Sequence, residues 1–374
     1  MNKLPIPFFA LFLFAFVLSL SAQIINPDLQ NNKWQASWIS HPYASEKGYE
    51  VLQFRKSFTL ASLTEKFVIN ISADNRYWLF VNGERVCTGP AKGDVAHWRF
   101  ETVDIAKYLS SGKNTIAVQV WNLGEYAGWA QLSYKTGLVI QGNTQFENLV
   151  NTDESWKVYQ SNAYFPLNDD HRVIGARELF FMPKYTFGWE KPEYDDSKWL
   201  IAIKTEDAIS ANPNLQSNRK LVQRNLPFPE ETMQRFASIR ELTGVEKNEG
   251  FLKRKGKLTV NPWAKATILI DQNYLTTAYP ELLISGGKGA KITLKYMEAP
   301  FENVKEERKG NRNEVAGKIR DGIFDVIYLD GEANRWYRPL TYRTFRYIEL
   351  TIEAYLEPVA VSYTHLTLPT NREV

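Results

Sequence analysis

The stretch Phe67 to Pro90, FVINISADNRYWLFVNGERVCTGP, limits the fold more than any other. Phe67, Ile69, Ile71 and Ala73 alternate with Val68, Asn70 and Ser72, the period of two expected of a half-buried strand. Asp74-Asn75-Arg76 interrupts the alternation, and Tyr77 to Val81 opens a second strand. Asn82-Gly83 follows, the dipeptide that best tolerates the positive backbone angles of a tight hairpin. Two strands therefore meet at a corner where a carboxylate and an amide project from a rigid frame. Such a corner suits a small polar ligand.

The same pattern continues along the chain. Trp34 to Ser40, Val51 to Leu60, His97 to Asp104, Thr115 to Asn122 and Gln131 to Gln141 read as further strands. Ile105 to Leu109 reads as one helical turn capped by Asp104. Asp153-Glu154-Ser155-Trp156 and Asp195-Asp196-Ser197-Lys198-Trp199 repeat a small signature, best explained by an acid that caps a turn and a Trp tucked beneath a sheet. Residues 206–246, polar and proline-punctuated at first, read as a linker. Glu230 to Leu242 within it shows a helical pattern. Beyond the linker, Ala266 to Ile270, Leu282 to Ser285, Ala290 to Met297, Phe324 to Leu329 and Phe345 to Ala354 return to strand pattern. Short strands joined by Gly- and Asn-rich turns predict an all-β chain of two consecutive antiparallel, jelly-roll-like β-sandwich domains.

The first residues carry an export signal: Lys3, an apolar run from Leu4 to Leu20, and a small-residue end at Leu20-Ser21-Ala22. Cleavage after Ala22 is expected, which makes residues 1–22 a signal peptide and the mature protein periplasmic or secreted. No cysteine follows the cleavage point for lipid attachment, and no membrane association is expected once the signal is removed. Cys87 is the only cysteine of 374 residues, so no internal disulfide forms and ordinary cores must supply stability.

A formal net charge of +3 leaves no broad basic footprint, so no nucleic-acid partner is expected. Arg338, Arg343 and Arg346 with Trp336, Tyr337 and Tyr347 form no such surface, because alternation puts Arg343 and Tyr347 on one face and Arg346 on the other. Gly286-Gly287-Lys288-Gly289 lacks the spacing and the following helix of a phosphate loop. His41, His97, His171 and His365 share no metal-ligand spacing. The adjacent acids Asp169-Asp170, Asp195-Asp196, Glu230-Glu231 and Glu306-Glu307 justify no acid/base assignment, because neighbours on a strand point to opposite faces.

Ile71 to Tyr77 with Phe80-Val81-Asn82-Gly83 and Val120-Trp121-Asn122 resembles the N-terminal accessory β-sandwich of bacterial α-L-rhamnosidases. Leu275 to Pro280, Ser285 to Ala290, Lys309 to Glu314 and Arg343 to Tyr347 are similar to the next β-domain of those glycoside hydrolases. The resemblance runs from about Trp34 to Pro358. It implies a rhamnosidase N-terminal-like carbohydrate-binding sandwich over 34–205 and a second, concanavalin-like sandwich over 247–359.

Members of that family carry their acid and base carboxylates in a helical barrel that follows these domains, and no such barrel is present here. The chain is thus expected to be the inactive front of an exported enzyme acting on rhamnose-containing carbohydrate, with a catalytic barrel missing in cis. The alternative is a complete exported, lectin-like sugar-binding protein. Residues 360–374 are expected to be a non-native tail with no partner strand, resembling translated adapter sequence.

Asp74, Asn75, Trp98 and Asn122 are the candidate sugar-binding residues, since carboxylate and amide groups match the mixed polarity of sugar hydroxyls. The resemblance also implies a calcium ion near Asp74 and Asn75, oxygen ligands of the kind calcium takes. A second reading stands beside this one: Asp74 and Asn75 simply make the turn between strands.

Overall fold

The computed structural model describes residues 25–129, 131–167, 175–212, 214–248, 250–253 and 256–370, with the side chains of 230 and 363–370 left aside. The signal peptide, His171 and the Asp169-Asp170 pair lie outside the described residues.

A short helix, α1 (Asp28–Asn31), precedes the strands. The strands are β1 (Lys33–Ser40), β2 (Tyr49–Leu60), β3 (Val68–Asp74), β4 (Arg76–Val81), β5 (Glu84–Gly89), β6 (Trp98–Asp104), β7 (Gly112–Leu123), β8 (Gly137–Gly142) and β9 (Lys157–Gln160). They continue as β10 (Tyr164–Leu167), β11 (Arg177–Phe181), β12 (Leu200–Ile201), β13 (Ile203–Ile209), β14 (Leu221–Gln223), β15 (Glu230–Gln234) and β16 (Ser238–Thr243). The last are β17 (Leu258–Val260), β18 (Lys265–Gly286), β19 (Lys291–Met297), β20 (Ile323–Tyr328), β21 (Arg335–Tyr337), β22 (Arg343–Glu353) and β23 (Val359–Thr370).

The first sandwich packs a sheet ordered β13-β1-β8-β3-β6-β14 on one ordered β12-β9-β2-β7-β4-β5. Ile69, Ile71 and Ala73 of β3 meet Leu52, Phe54, Leu79 and Val118 in the core between them. At the hairpin, Asn82 and Gly83 take φ of 51° and 87°, the left-handed pair that an Asn-Gly turn supplies. The expected half-buried β3 is buried on both faces. Its second face is covered because Ile25, Leu29 and Trp34 join Trp38, Trp98, Phe100, Ala208 and Leu221 in a satellite core on the outside of that sheet. The single turn after β6 forms at Ala106–Tyr108, with Ala106 N donating to Asp104 Oδ1 at 3.0 Å. Both Trp signatures are structural: Trp156 and Trp199 are buried, and Asp153 and Asp195 accept from the backbone N–H of Ser155 and Ser197.

The second domain is one sheet ordered β10-β11-β20-β19-β22-β18-β23-β15, with β16 and β21 also paired to β18 and β17 to β23. Its main core runs along β18, and a smaller cluster of Leu269, Met297, Val315 and Tyr347 lies apart from it. The first half of this 22-residue strand pairs with β22 and its second half with β23. The partner changes between Ala278 and Tyr279, after an irregularity within the β22 pairing between Asp271 and Thr276, where Asn273 takes φ of 76°. Polar Gln272-Asn273-Tyr274 breaks the alternation at that irregularity, so the sequence reads β18 as two separate strands.

Three expectations change. Residues 206–246 are no free linker: β13 and β14 complete the first sandwich, and β15 and β16 belong to the second sheet. No helix forms over 230–242, because Glu230–Gln234 finds β23 and Ser238–Thr243 finds β18. The tail does have partner strands, with Thr367 opposite both Tyr279 and Met233. The hairpin β10–β11 also leaves the first domain's span to pair in parallel with β20. Val51, Trp78 and Trp121 of the first sandwich share a core with Tyr164, Phe180 and the second sheet. The two domains are therefore joined by apolar packing.

Candidate functional site

Asp74 ends β3 and is fully buried. Its Oδ2 accepts the backbone N–H groups of Tyr134 at 2.7 Å and Lys135 at 2.6 Å, and Nη1 of Arg219 at 3.2 Å. Burial pushes the Asp74 carboxyl up, and the Arg219 charge with the two backbone donors pulls it back only in part. Arg219 is itself buried. It also bonds Glu206 and lies over the Trp38 ring at 3.4 Å from the centroid, with Trp98 at 5.1 Å and Tyr134 at 5.5 Å.

The other candidates are held in the same way. Asn75 donates through Nδ2 to the Leu132 carbonyl at 2.5 Å. Asn122 donates to Ser133 Oγ at 2.7 Å and Thr136 Oγ1 at 2.9 Å, and its Oδ1 accepts Gly124 N–H at 3.0 Å. Trp98 donates to the Ala73 carbonyl at 3.3 Å. All four side chains are buried, and Asp74, Asn75 and Asn122 serve the loop 131–136, which the sequence presents as part of a strand.

The four do not line one sugar-sized pocket. Asn75 and Trp98 reach a cleft with Arg76, Lys92, Arg99 and Leu132, while Asp74 and Asn122 lie outside it. That cleft leaves about 20 Å³, roughly the room one water needs. Two backbone N–H groups and a guanidinium surround Asp74 Oδ2, so donors stand where a cation would need oxygens. Of the Asp74 carboxylate only Oδ1 is left without a hydrogen-bond partner, and one such oxygen beside a guanidinium falls far short of the roughly six to eight that calcium takes. Among the described residues no cluster of three or more His, Cys, Asp or Glu forms elsewhere. Sequence reasoning missed Arg219 because it stands alone in a polar stretch with no periodicity to place it against β3.

Among the described residues, the adjacent acids singled out in the sequence are not arranged for acid/base work. Asp196 is held by Arg55 and Lys157, and Asp195 caps a turn. Glu306 and Glu307 are exposed in a loop. Arg343 and Arg346 form no joint patch, since each is bound to its own acid, Asp325 and Asp271. Buried Glu178 and Asp325 approach through the bond from Glu178 N–H to Asp325 Oδ1 at 2.8 Å, but Asp325 accepts Arg343 at 2.9 and 2.7 Å.

A larger cleft of about 400 Å³ opens between β5 and β6 beneath residues 228–231. At its rim Arg85 and Glu231 form two bonds of 3.1 and 2.6 Å. Burial alone would raise the Glu231 carboxyl, but the bonds from Arg85 and the charge of Arg338 outweigh it and lower the value. Glu231 therefore stays ionised, the opposite of what a glycosidic acid requires.

Residues 64–227 match the family described as the α-L-rhamnosidase N-terminal domain. An α-L-rhamnosidase of Alteromonas sp. strain LOR is 22% identical over 350 residues, which cover 86% of this chain and 33% of that protein. One of Streptomyces avermitilis is 28% identical over 183 residues, 48% of this chain and 15% of its own. The chain thus spans a third or less of these curated relatives. The crystal structure of a GH78 family rhamnosidase of Bacillus sp. GL1 shares the fold at a TM-score of 0.73 and 16% identity, over 90% of this chain and 55% of that one. The family match over residues 64–227, the curated relatives and the shared fold together support an N-terminal α-L-rhamnosidase region.

Proposed function

We propose that this region is the non-catalytic front of an exported α-L-rhamnosidase that acts on rhamnose-containing glycans or glycosides. The two sandwiches hold and shield a catalytic domain joined in cis, and weak rhamnose binding accompanies that role. One observation carries the reading: 86% of this chain aligns with only 33% of the Alteromonas enzyme, leaving most of such an enzyme's length to supply the chemistry. Cleaving a glycosidic bond takes two carboxyl groups flanking it, roughly 5–9.5 Å apart, and the described residues offer none around a sugar-sized space with a raised acid. The apolar contact between the sandwiches favours a scaffold role, since the two share one buried core. The test is to read the coding frame past Val361 in the source genome and assay the product. A frame that continues into a helical domain and hydrolyses aryl α-L-rhamnosides supports the reading. An authentic stop codon there contradicts it and favours a stand-alone sugar-binding protein.

A further inference from the structure

We propose that the cleft between β5 and β6, not the Asp74 corner, is the glycan subsite of this region, and that it takes one neutral 6-deoxyhexosyl residue. The choice of sugar rests on the rhamnosidase reading above; the cleft itself does not. β5 is the outermost strand of its sheet, so the sandwich is open along this side, and Phe228, Pro229 and Glu231 roof the opening. Its volume of about 400 Å³ lies within the roughly 300–1,000 Å³ of small-molecule sites.

The lining matches a ligand that is polar on one side and apolar on the other. Val86, Cys87 and Val103 form an apolar part, and burial pushes the Cys87 thiol up to about 12, so it stays neutral and packs as a small apolar group. Tyr108 and Phe228 add ring surface, and Phe228 is 43% exposed although it faces the cleft. The rim is polar and balanced in sign, with Arg85 and Lys107 against Asp104 and Glu231. A balanced rim gives no field to favour a phosphate or a carboxylate. A guanidinium paired with a carboxylate presents further donors and acceptors side by side, which is what hydroxyl groups that both give and take hydrogen bonds require. The methyl edge of a 6-deoxy sugar then meets the Val86–Cys87 side and its hydroxyls the Arg85–Glu231 rim.

Nitrogen-15 NMR titration of the chain with methyl α-L-rhamnopyranoside, and with methyl α-D-glucopyranoside for comparison, tests this. A lone glycosyl residue makes few contacts, so a Kd on the order of 10⁻³ M is expected for the rhamnoside, with weaker binding of the glucoside. Phe228→Ala should weaken rhamnoside binding about five-fold or more, whereas Asn75→Ala should leave it unchanged. Absence of shifts at tens of millimolar glycoside overturns the subsite while leaving the rhamnosidase reading, tested by frame and hydrolysis, intact. Loss of binding in Asn75→Ala but not in Phe228→Ala overturns it in favour of the corner. Equal affinity for both glycosides overturns the deoxyhexose assignment.

Discussion

At Asp74 a carboxylate sits without solvent contact against a guanidinium that is equally buried. Removing one partner of such a pair leaves the other charged and unpaired, which typically costs about 3–5 kcal/mol. Arg219→Met should therefore lower stability by an amount of that order, seen as a fall in the denaturation midpoint. Full stability in the variant would show that the corner does not depend on the pair. A second buried acid gives a pH dependence. Glu178 accepts Tyr337 OH and Leu340 N–H at 3.0 Å each, and burial together with the Asp325 charge pushes its carboxyl up to about 8. The folded chain then keeps a proton that the unfolded chain releases near its ordinary value of about 4.3. Stability contributed by this proton is complete at low pH and is lost as pH rises through that window toward about 8. Urea denaturation at several pH values should show the decline, and Glu178→Gln should flatten it. These residues also mark how far the sequence can be read. Asp74 and Asn75 stand out in it because turn chemistry and ligand chemistry use the same side chains. What separates the two uses is a partner 145 residues away, and nothing local to Asp74 announces Arg219.

Among the elements, β23 differs most from its reading. Alternation is weak over 362–370, so a partnerless tail is the natural expectation, yet this segment pairs with the second half of β18 on one side and with β15 on the other. Truncation after Val361 would strip both neighbours of a ladder. The account predicts a lower melting temperature and faster amide exchange over Glu230–Gln234, because a backbone N–H that loses its partner is returned to water. Unchanged exchange in β15 on truncation would mean that this strand does not rely on β23. By contrast, β3, β4 and the Asn82-Gly83 turn are legible residue by residue, since period and turn chemistry are local properties. Residues 206–246 are not, because β13 to β16 are short and take their order from distant strands.

Across the whole molecule, the two sandwiches meet through aromatic packing, with the Trp78 and Trp121 rings 5.1 Å apart at the shared core. Truncating a buried Trp typically costs about 3–5 kcal/mol. Trp121→Ala should thus destabilise both domains together, and calorimetry of the wild-type chain should show one transition. Two separate transitions, only one of them moved by the substitution, would show that the sandwiches fold independently. The all-β class and the rhamnosidase likeness were open to sequence reading because they rest on repeated local patterns. The union of the domains was not, because the hairpin β10–β11 crosses between them on tertiary contacts alone.

The central proposal is that this region holds and binds while a domain joined to it in cis does the cleaving. Its most direct test is hydrolysis of an aryl α-L-rhamnoside by the purified 374-residue chain alone, followed by release of the chromophore. The account predicts no turnover above a heat-inactivated control, since Glu231 is kept ionised by its arginines and offers no acid to work with Asp104 on the same cleft. Saturable turnover that co-purifies with the chain and survives removal of contaminating enzyme would contradict it.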